Sequence, residues 1–322
     1  MLDTFGEFVY DYYVKHNTAV EDVISERIKL WEANVLKLDA ERVFTLSGFP
    51  GVGKTWLLHR CNYFRKKHLG IYLDLKGFED SDTPEQYLAQ IQDNIQNQIG
   101  LCKFGDLFFV DHVPPAPHHP NLVKIEDAIF IPELEKGAFF VMAQQNPYSW
   151  CWNELPHPEP YKVSPFTQAN AKKIFKKMKT PFPKKGNLGY SLFSSSRILP
   201  GLISIWSKFL ELEESESKAT EDFLAYWFQQ VVPFDQPELR HELLIAGAMT
   251  WVNSFSDTNT IKKILVVTGE TVSHLSIRQK FARYQWITAY KTWEEPIRTI
   301  LRVWFMQSEK ALASKIQHIL GD

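Results

Sequence analysis

The 322 residues carry a formal net charge of −2 and are 44% hydrophobic and 14% aromatic. A chain of this size can bury a large core across two or three domains, and so balanced a charge weighs against a dominating nucleic-acid field. Cys61, Cys102 and Cys151 stand far apart with no C-x-x-C pair, which speaks for a reducing compartment and against a disulfide framework or a cysteine zinc site.

In chain order, the opening "MLDTFGEFVYDYY" has early acids and neither a basic n-region nor an apolar h-region, so no secretory leader is expected. No apolar run is long enough to span a membrane, and a cytoplasmic location is the expectation. Val43-Phe44-Thr45-Leu46 reads as a buried strand. It runs into Gly48-Phe49-Pro50-Gly51-Val52-Gly53-Lys54-Thr55, a full match to G-x-x-x-x-G-K-[ST], the phosphate-binding loop. Glycine serves where the backbone turns with positive φ and where a Cβ would collide with phosphate oxygens. A helix from about Thr55, striped by Trp56, Leu57, Leu58, Cys61 and Phe64, would aim its free N–H groups and positive dipole end at the anion. Lys54 then reaches the β- and γ-phosphates, and the Thr55 hydroxyl can coordinate Mg²⁺.

Ile71–Leu75 reads as a second strand. Pro84 opens a helix with Leu88, Ile91, Ile95 and Ile99 at helical spacing. Leu107-Phe108-Phe109-Val110 is a short apolar run covered on both faces, and it ends in Asp111, where P-loop NTPases place an acid that holds Mg²⁺. The proline-rich stretch 113–120 is a loop, and its adjacent His118 and His119 point apart, which argues against a metal pair. Ala138–Ala143 is a further apolar strand and "YKVSPF" a shorter one. Strand and helix alternate, which implies an α/β fold with a parallel sheet covered on both faces. Lys172, Lys173, Lys176, Lys177 and Lys179 paint the solvated face of a helix whose other face holds Ile174, Phe175 and Met178. After a charged stretch at 211–219 the pattern turns helical. Three helices ("LRHELLIAGAM", "NTIKKILVV", "GETVSHLSIRQKFARY"), a two-stranded hairpin at "WITAYKTWEE" and one long closing helix from Pro296 follow.

Over roughly residues 20–310 the chain resembles the STAND class of AAA+-related P-loop ATPases, which includes NB-ARC and MalT-like switches. "ERVFTLSGFPGVGKTWLL" looks like their opening strand, loop and helix, and "FFVDHV" like their metal-binding strand. "LEKGAFFVMAQQNPYSW" resembles the next strand and its polar sensor turn, near Gln145. "YKVSPFTQANAKKIFKK" resembles a short strand, turn and helix, and "SRILPGLISIWSKFL" a segment whose proline, here Pro200, packs on the adenine. The closing helices and hairpin resemble the winged helix-turn-helix that follows such modules. The departures are His112 where active ATPases carry a catalytic Glu, Gln145 where an arginine is common, and Ile198 where Gly is usual. The first two imply slow hydrolysis, because the base and a charge near the γ-phosphate are missing. Glu294 and Glu295 stand where NB-ARC relatives place a histidine on the ADP phosphate; an acid there points away and leaves the latch to other groups, reaches the metal or Lys54 instead, or simply serves the helix N-terminus.

The resemblance therefore implies an N-terminal helical extension at 1–25, a P-loop nucleotide-binding domain at 26–180, a helical lid at 181–232 and a winged helix at 233–322. It implies ATP or ADP with Mg²⁺ as ligand, held by Gly48, Pro50, Gly51, Val52, Gly53, Lys54, Thr55, Trp56, Gln145 and Pro200, with Thr55 and Asp111 on the metal and Lys54 and Asp111 at the chemistry. An ATP-driven switch working through a protein partner or self-assembly is the leading expectation. A nucleotide-gated DNA-binding regulator, using Arg278, Lys280 and Arg283, and an ADP-locked scaffold are the alternatives.

Overall fold

The computed structural model describes residues 18–48, 51–63, 70–78, 81–98, 106–114, 119–144, 150–195, 197–212, 215, 218, 222–224, 237–283, 286–288 and 290–321. Pro50, Gln145 and His118 lie outside them. The chain divides into two compact units, one ending at Ser164 and the other running from Pro165 to Asp322.

The first unit is built on five parallel strands: β1 (Val43–Ser47), β2 (Ile71–Asp74), β3 (Leu107–Val113), β4 (Phe139–Gln144) and β5 (Tyr161–Lys162). Their order is β2-β3-β4-β1-β5, so β4 separates the phosphate-loop strand from the Asp111 strand. Every residue of β1 and β4 is buried, as parallel strands covered on both faces require. Phe108 and Phe140 stack across β3 and β4 with centroids 4.8 Å apart. Helix α1 (Thr18–Glu32) turns Ile24, Ile28 and Trp31 inward at helical spacing, and the Trp31 indole donates to the Gly137 carbonyl at 2.8 Å. Helices α2 (Lys54–Tyr63) and α3 (Pro84–Gln98) start where the sequence places them. The segment after β3 is helical as well: α4 (Pro120–Ile125), a π turn at Glu126–Phe130, and α5 (Ile131–Glu135).

Cys61 of α2 is half-buried, and its thiol is pushed up to about 12 by burial first and the Glu21 carboxylate second, against Arg60. An acid raised in the fold contributes stability below its ordinary pKa and loses it as pH climbs from 9 toward 12. In a Cys102→Ser, Cys151→Ser background, the native thiol should react with a disulfide reagent at pH 8 at least about thirtyfold more slowly than the urea-unfolded chain, since the smaller thiolate fraction outweighs the higher nucleophilicity of the thiolate. Equal rates would contradict this burial.

The second unit starts with α6 (Gln168–Lys177), whose N-cap Thr167 accepts from the Asn170 amide. Its Ala171, Ile174 and Phe175 are buried and its lysines face outward, as the pattern predicts. Phe175 meets Phe182, Phe193 and Trp206 edge-on, drawing together α7 (Leu188–Phe193) and α8 (Pro200–Leu212). That cluster and the antiparallel bridge Phe166–Ile198 tie α6 to this unit, although a boundary near 180 would have left it in the first.

Helices α9 (Pro237–Met249), α10 (Thr258–Thr268) and α11 (His274–Arg283) match the three expected ones. Gly247 lies where a Cβ would meet the Phe305 side chain at 2.5 Å, so the helix pair here needs glycine. Among the described residues the expected hairpin shows one antiparallel bridge, Ile287–Trp293, flanked by Thr288 N–H donating to Thr292 and Glu294 N–H donating to Trp286. The expected single closing helix is two: α12 (Glu295–Ser308) and α13 (Lys310–Leu320). Glu309 leaves the helical region at φ −129, ψ 49, which redirects α13 so that its Ala313 and Ile316 are buried and it packs on α10. Among the described residues, no helix is long and apolar enough to cross a membrane.

Candidate nucleotide site

The glycines of the loop after β1 have the positive φ that the motif predicts. Gly48, Gly51 and Gly53 have φ of 152°, 80° and 99°. At Gly48 a Cβ would stand 3.0 Å from Val52 Cγ1 and 3.1 Å from the Val163 carbonyl oxygen, so the residue that follows β5 closes one side of the turn. Val52 is fully buried, and Trp56 is buried on α2. Leu57 N–H donates to the Gly53 carbonyl at 3.0 Å, which closes the first turn of α2. The amides preceding that turn are the ones a helix cannot satisfy itself, and they suit an anion.

Lys54 is the first residue of α2 and is 8% exposed. Its Nζ donates to the Gly48 carbonyl at 2.6 Å. Burial pushes its pKa down to about 8, and the negative charge of Asp111 pulls the other way. The loop lysine and the strand carboxylate therefore act on one another across β4. Thr55 follows, half-buried.

Asp111 is 1% exposed near the end of β3. Its Oδ1 accepts from the His112 amide at 2.9 Å and its Oδ2 from the Tyr72 hydroxyl at 2.7 Å. Tyr72, on β2, stacks on His59 of α2 with centroids 4.3 Å apart. Burial first, then the charge and hydrogen bond of Asp111, raise the phenol so that it remains a donor. Burial also holds His59 below the usual imidazole range, against the pull of Asp111 and Asp74.

His112 has φ 52°, a left-handed conformation for a residue with a Cβ, and the β3–β4 register shifts across it. Its Nδ1 lies 2.7 Å from Asp74 Oδ1 on β2, the residue in register with Asp111. Burial opposes the imidazolium, but the hydrogen bond to Asp74 and the charges of Asp111 and Asp74 outweigh it, so the net shift is upward. On Asp74 burial acts upward, and the bond and charge of His112 win, leaving it below its ordinary value.

One side chain escaped the sequence reading. Gln144, the last residue of β4, is paired in register with Ser47 of β1 and Val113 of β3, so it ends between the phosphate-loop strand and the Asp111 strand. Both ends of its carboxamide are buried and lack a hydrogen-bond partner among the described residues. A buried amide with nothing to bond costs about 1–3 kcal/mol, and such a group marks a place for a polar ligand. The signal lay in strand length: a strand of six residues from Phe139 ends at Gln144, not at Gln145.

A buried ammonium, a buried carboxylate, a threonine hydroxyl and an unpartnered carboxamide suit a polyphosphate with a divalent cation, since Mg²⁺ prefers a few protein oxygens and completes its shell from phosphate and water. Pro200 is buried at the start of α8, in the other unit.

Neither a protein-family model nor a curated protein matches the chain. Among solved structures, a Walker-type ATPase of Pyrococcus abyssi superposes with TM-score 0.56, covering 90% of this chain and 96% of its own at 12% identity. RuvB of Thermotoga maritima gives 0.44 over 90% and 96% at 13%, and AMPPCP-bound DnaA of Aquifex aeolicus 0.42 over 98% and 95% at 13%. The last two are too distant to carry an argument. The Pyrococcus likeness, the parallel sheet and the strand–loop–helix at Gly48–Lys54 together show that this chain has the α/β fold of a P-loop NTPase.

Proposed function

We propose that the protein is an adenine-nucleotide switch of the STAND type. ATP or ADP with Mg²⁺ binds at Gly48–Thr55, hydrolysis is slow, and the bound nucleotide governs contacts with a protein partner or with further copies of the chain. The observation that carries this is the convergence of Lys54, Asp111 and Gln144, whose carboxamide has no partner among the described residues, at the C-terminal edge of one parallel sheet. Lys54 and the loop amides bind phosphate, Gln144 hydrogen-bonds the terminal phosphate in the role expected for its neighbour, and Thr55 and Asp111 hold the metal, which neutralises phosphate charge when bound. The name of the Pyrococcus relative, a Walker-type ATPase, agrees with this reading. In the second unit we read α6–α8 as the lid and α9–α13 as the winged helix. Lys280 is ion-paired with Glu242, which leaves one cation fewer for DNA phosphate. Glu294 pairs with Arg197 and Glu295 with Arg298, so each acid answers a cation of its own unit.

Slow turnover follows from His112, whose ring is drawn to Asp74 instead of being an acid at the base position. Melting curves with ATP, ADP and GTP test the ligand, and phosphate release tests the rate. The wild-type kcat should fall well below the roughly 10 s⁻¹ of ordinary enzymes. His112→Glu combined with Asp74→Asn, which avoids setting two carboxylates together, should raise it by about a hundredfold. A wild-type kcat near that ordinary value would sink the slow switch. An unchanged rate in the double variant would show that the missing base does not limit turnover.

A further inference from the structure

We propose that Tyr72 is a positioning residue that sets the Asp111 carboxylate for the divalent cation, an inference that rests on the nucleotide reading above. The phenol donates to Asp111 Oδ2 at 2.7 Å while the His112 amide donates to Oδ1 at 2.9 Å. Each oxygen thus holds one donor, which favours one orientation of the carboxylate plane, and each keeps lone-pair capacity for a metal or its water. The ring that carries the hydroxyl is itself clamped. Tyr72 sits on β2 beside β3, and its face lies on His59 at an interplanar angle of 23°. His59 belongs to α2, the helix that begins with Lys54. One aromatic stack therefore couples the helix that meets phosphate to the carboxylate that meets metal. Donors behind a ligating carboxylate fix its orientation, and their loss typically weakens metal binding or activity by about 10–100-fold.

Tyr72→Phe tests this because it keeps the ring and its stack and removes only the hydroxyl. Two affinities are measured on the full chain: ADP in EDTA by calorimetry, and Mn²⁺ in saturating ADP by its free electron-resonance signal. Asp111→Asn serves as the metal-blind reference and Lys54→Ala as the phosphate-blind one. The expected result is an Mn²⁺ dissociation constant raised about tenfold or more, with ADP affinity in EDTA and the ligand-free melting point close to wild type. Unchanged Mn²⁺ affinity would overturn the role. So would a parallel loss of ADP affinity in EDTA, which would mean that the hydroxyl shapes the fold and not the metal carboxylate. If the wild type bound no ADP, or Lys54→Ala bound it equally well, the nucleotide reading itself would fall, and the positioning role with it.

Discussion

Lys54→Ala should abolish the thermal shift that ATP with Mg²⁺ gives the wild-type protein. A ligand that binds only the native state adds about 2.7 kcal/mol at a hundredfold excess over its Kd. For a unit of this size that corresponds to an upward shift of roughly 5–10 °C. The variant loses the ammonium of the loop, whose head bonds the Gly48 carbonyl. Its ligand-free melting point should therefore stay close to wild type or rise, because a buried ammonium is depressed in the fold. A full ATP-induced shift in Lys54→Ala would place the nucleotide elsewhere.

Glu126→Ala should be the most damaging single change away from the loop. Glu126 is 1% exposed in the π turn, and its two oxygens accept three backbone amides, from Asn153, Glu154 and Leu155, each at 2.8 Å. Those bonds shape the chain between β4 and β5, where Trp152 and Leu155 enter the core and Trp150 stacks on His157. Truncation strips its acceptor from three backbone donors, that of Leu155 buried and those of Asn153 and Glu154 part-buried, and at the low end of about 1–3 kcal/mol each the loss reaches about 3 kcal/mol. Typical domains hold only about 5–15 kcal/mol in all. Urea unfolding should show the midpoint falling by more than a third, or no cooperative transition. Glu126→Gln keeps one acceptor and should lie between. A loss below about 1 kcal/mol in the alanine variant would deny the carboxylate this role.

The phosphate loop was legible because all its requirements are local: three glycines, a lysine and a threonine within eight residues, between an apolar strand and a helical stripe. Asp111 was legible because a doubly covered strand reads as an unbroken apolar run. What the sequence hid depends on partners far along the chain. His112 turns to Asp74 and Asp111 is gripped by Tyr72, pairings made only by the β2–β3 register. Gln144 is not singled out by sequence, because its place beside Ser47 comes only from the β1–β4 register. The helical run at 120–135 went unread because Pro132 breaks its pattern, although at the first turn of α5 proline costs no hydrogen bond. The break at Glu309 has no glycine or proline to announce it, and burial of Ala313 and Ile316 accompanies it.

The strand order also bears on how the protein is made. β1 leaves the ribosome early, yet its sheet neighbours are β4 and β5, the last strands of the unit to be synthesised. The turn at Gly48 is walled by Val163, about a hundred residues later, so its loop closes late and across a long separation. A nascent or truncated chain ending before β5 therefore presents the whole phosphate-loop sequence without one wall of its turn. Premature termination inside the first unit leaves an apolar β1 edge open to misassembly.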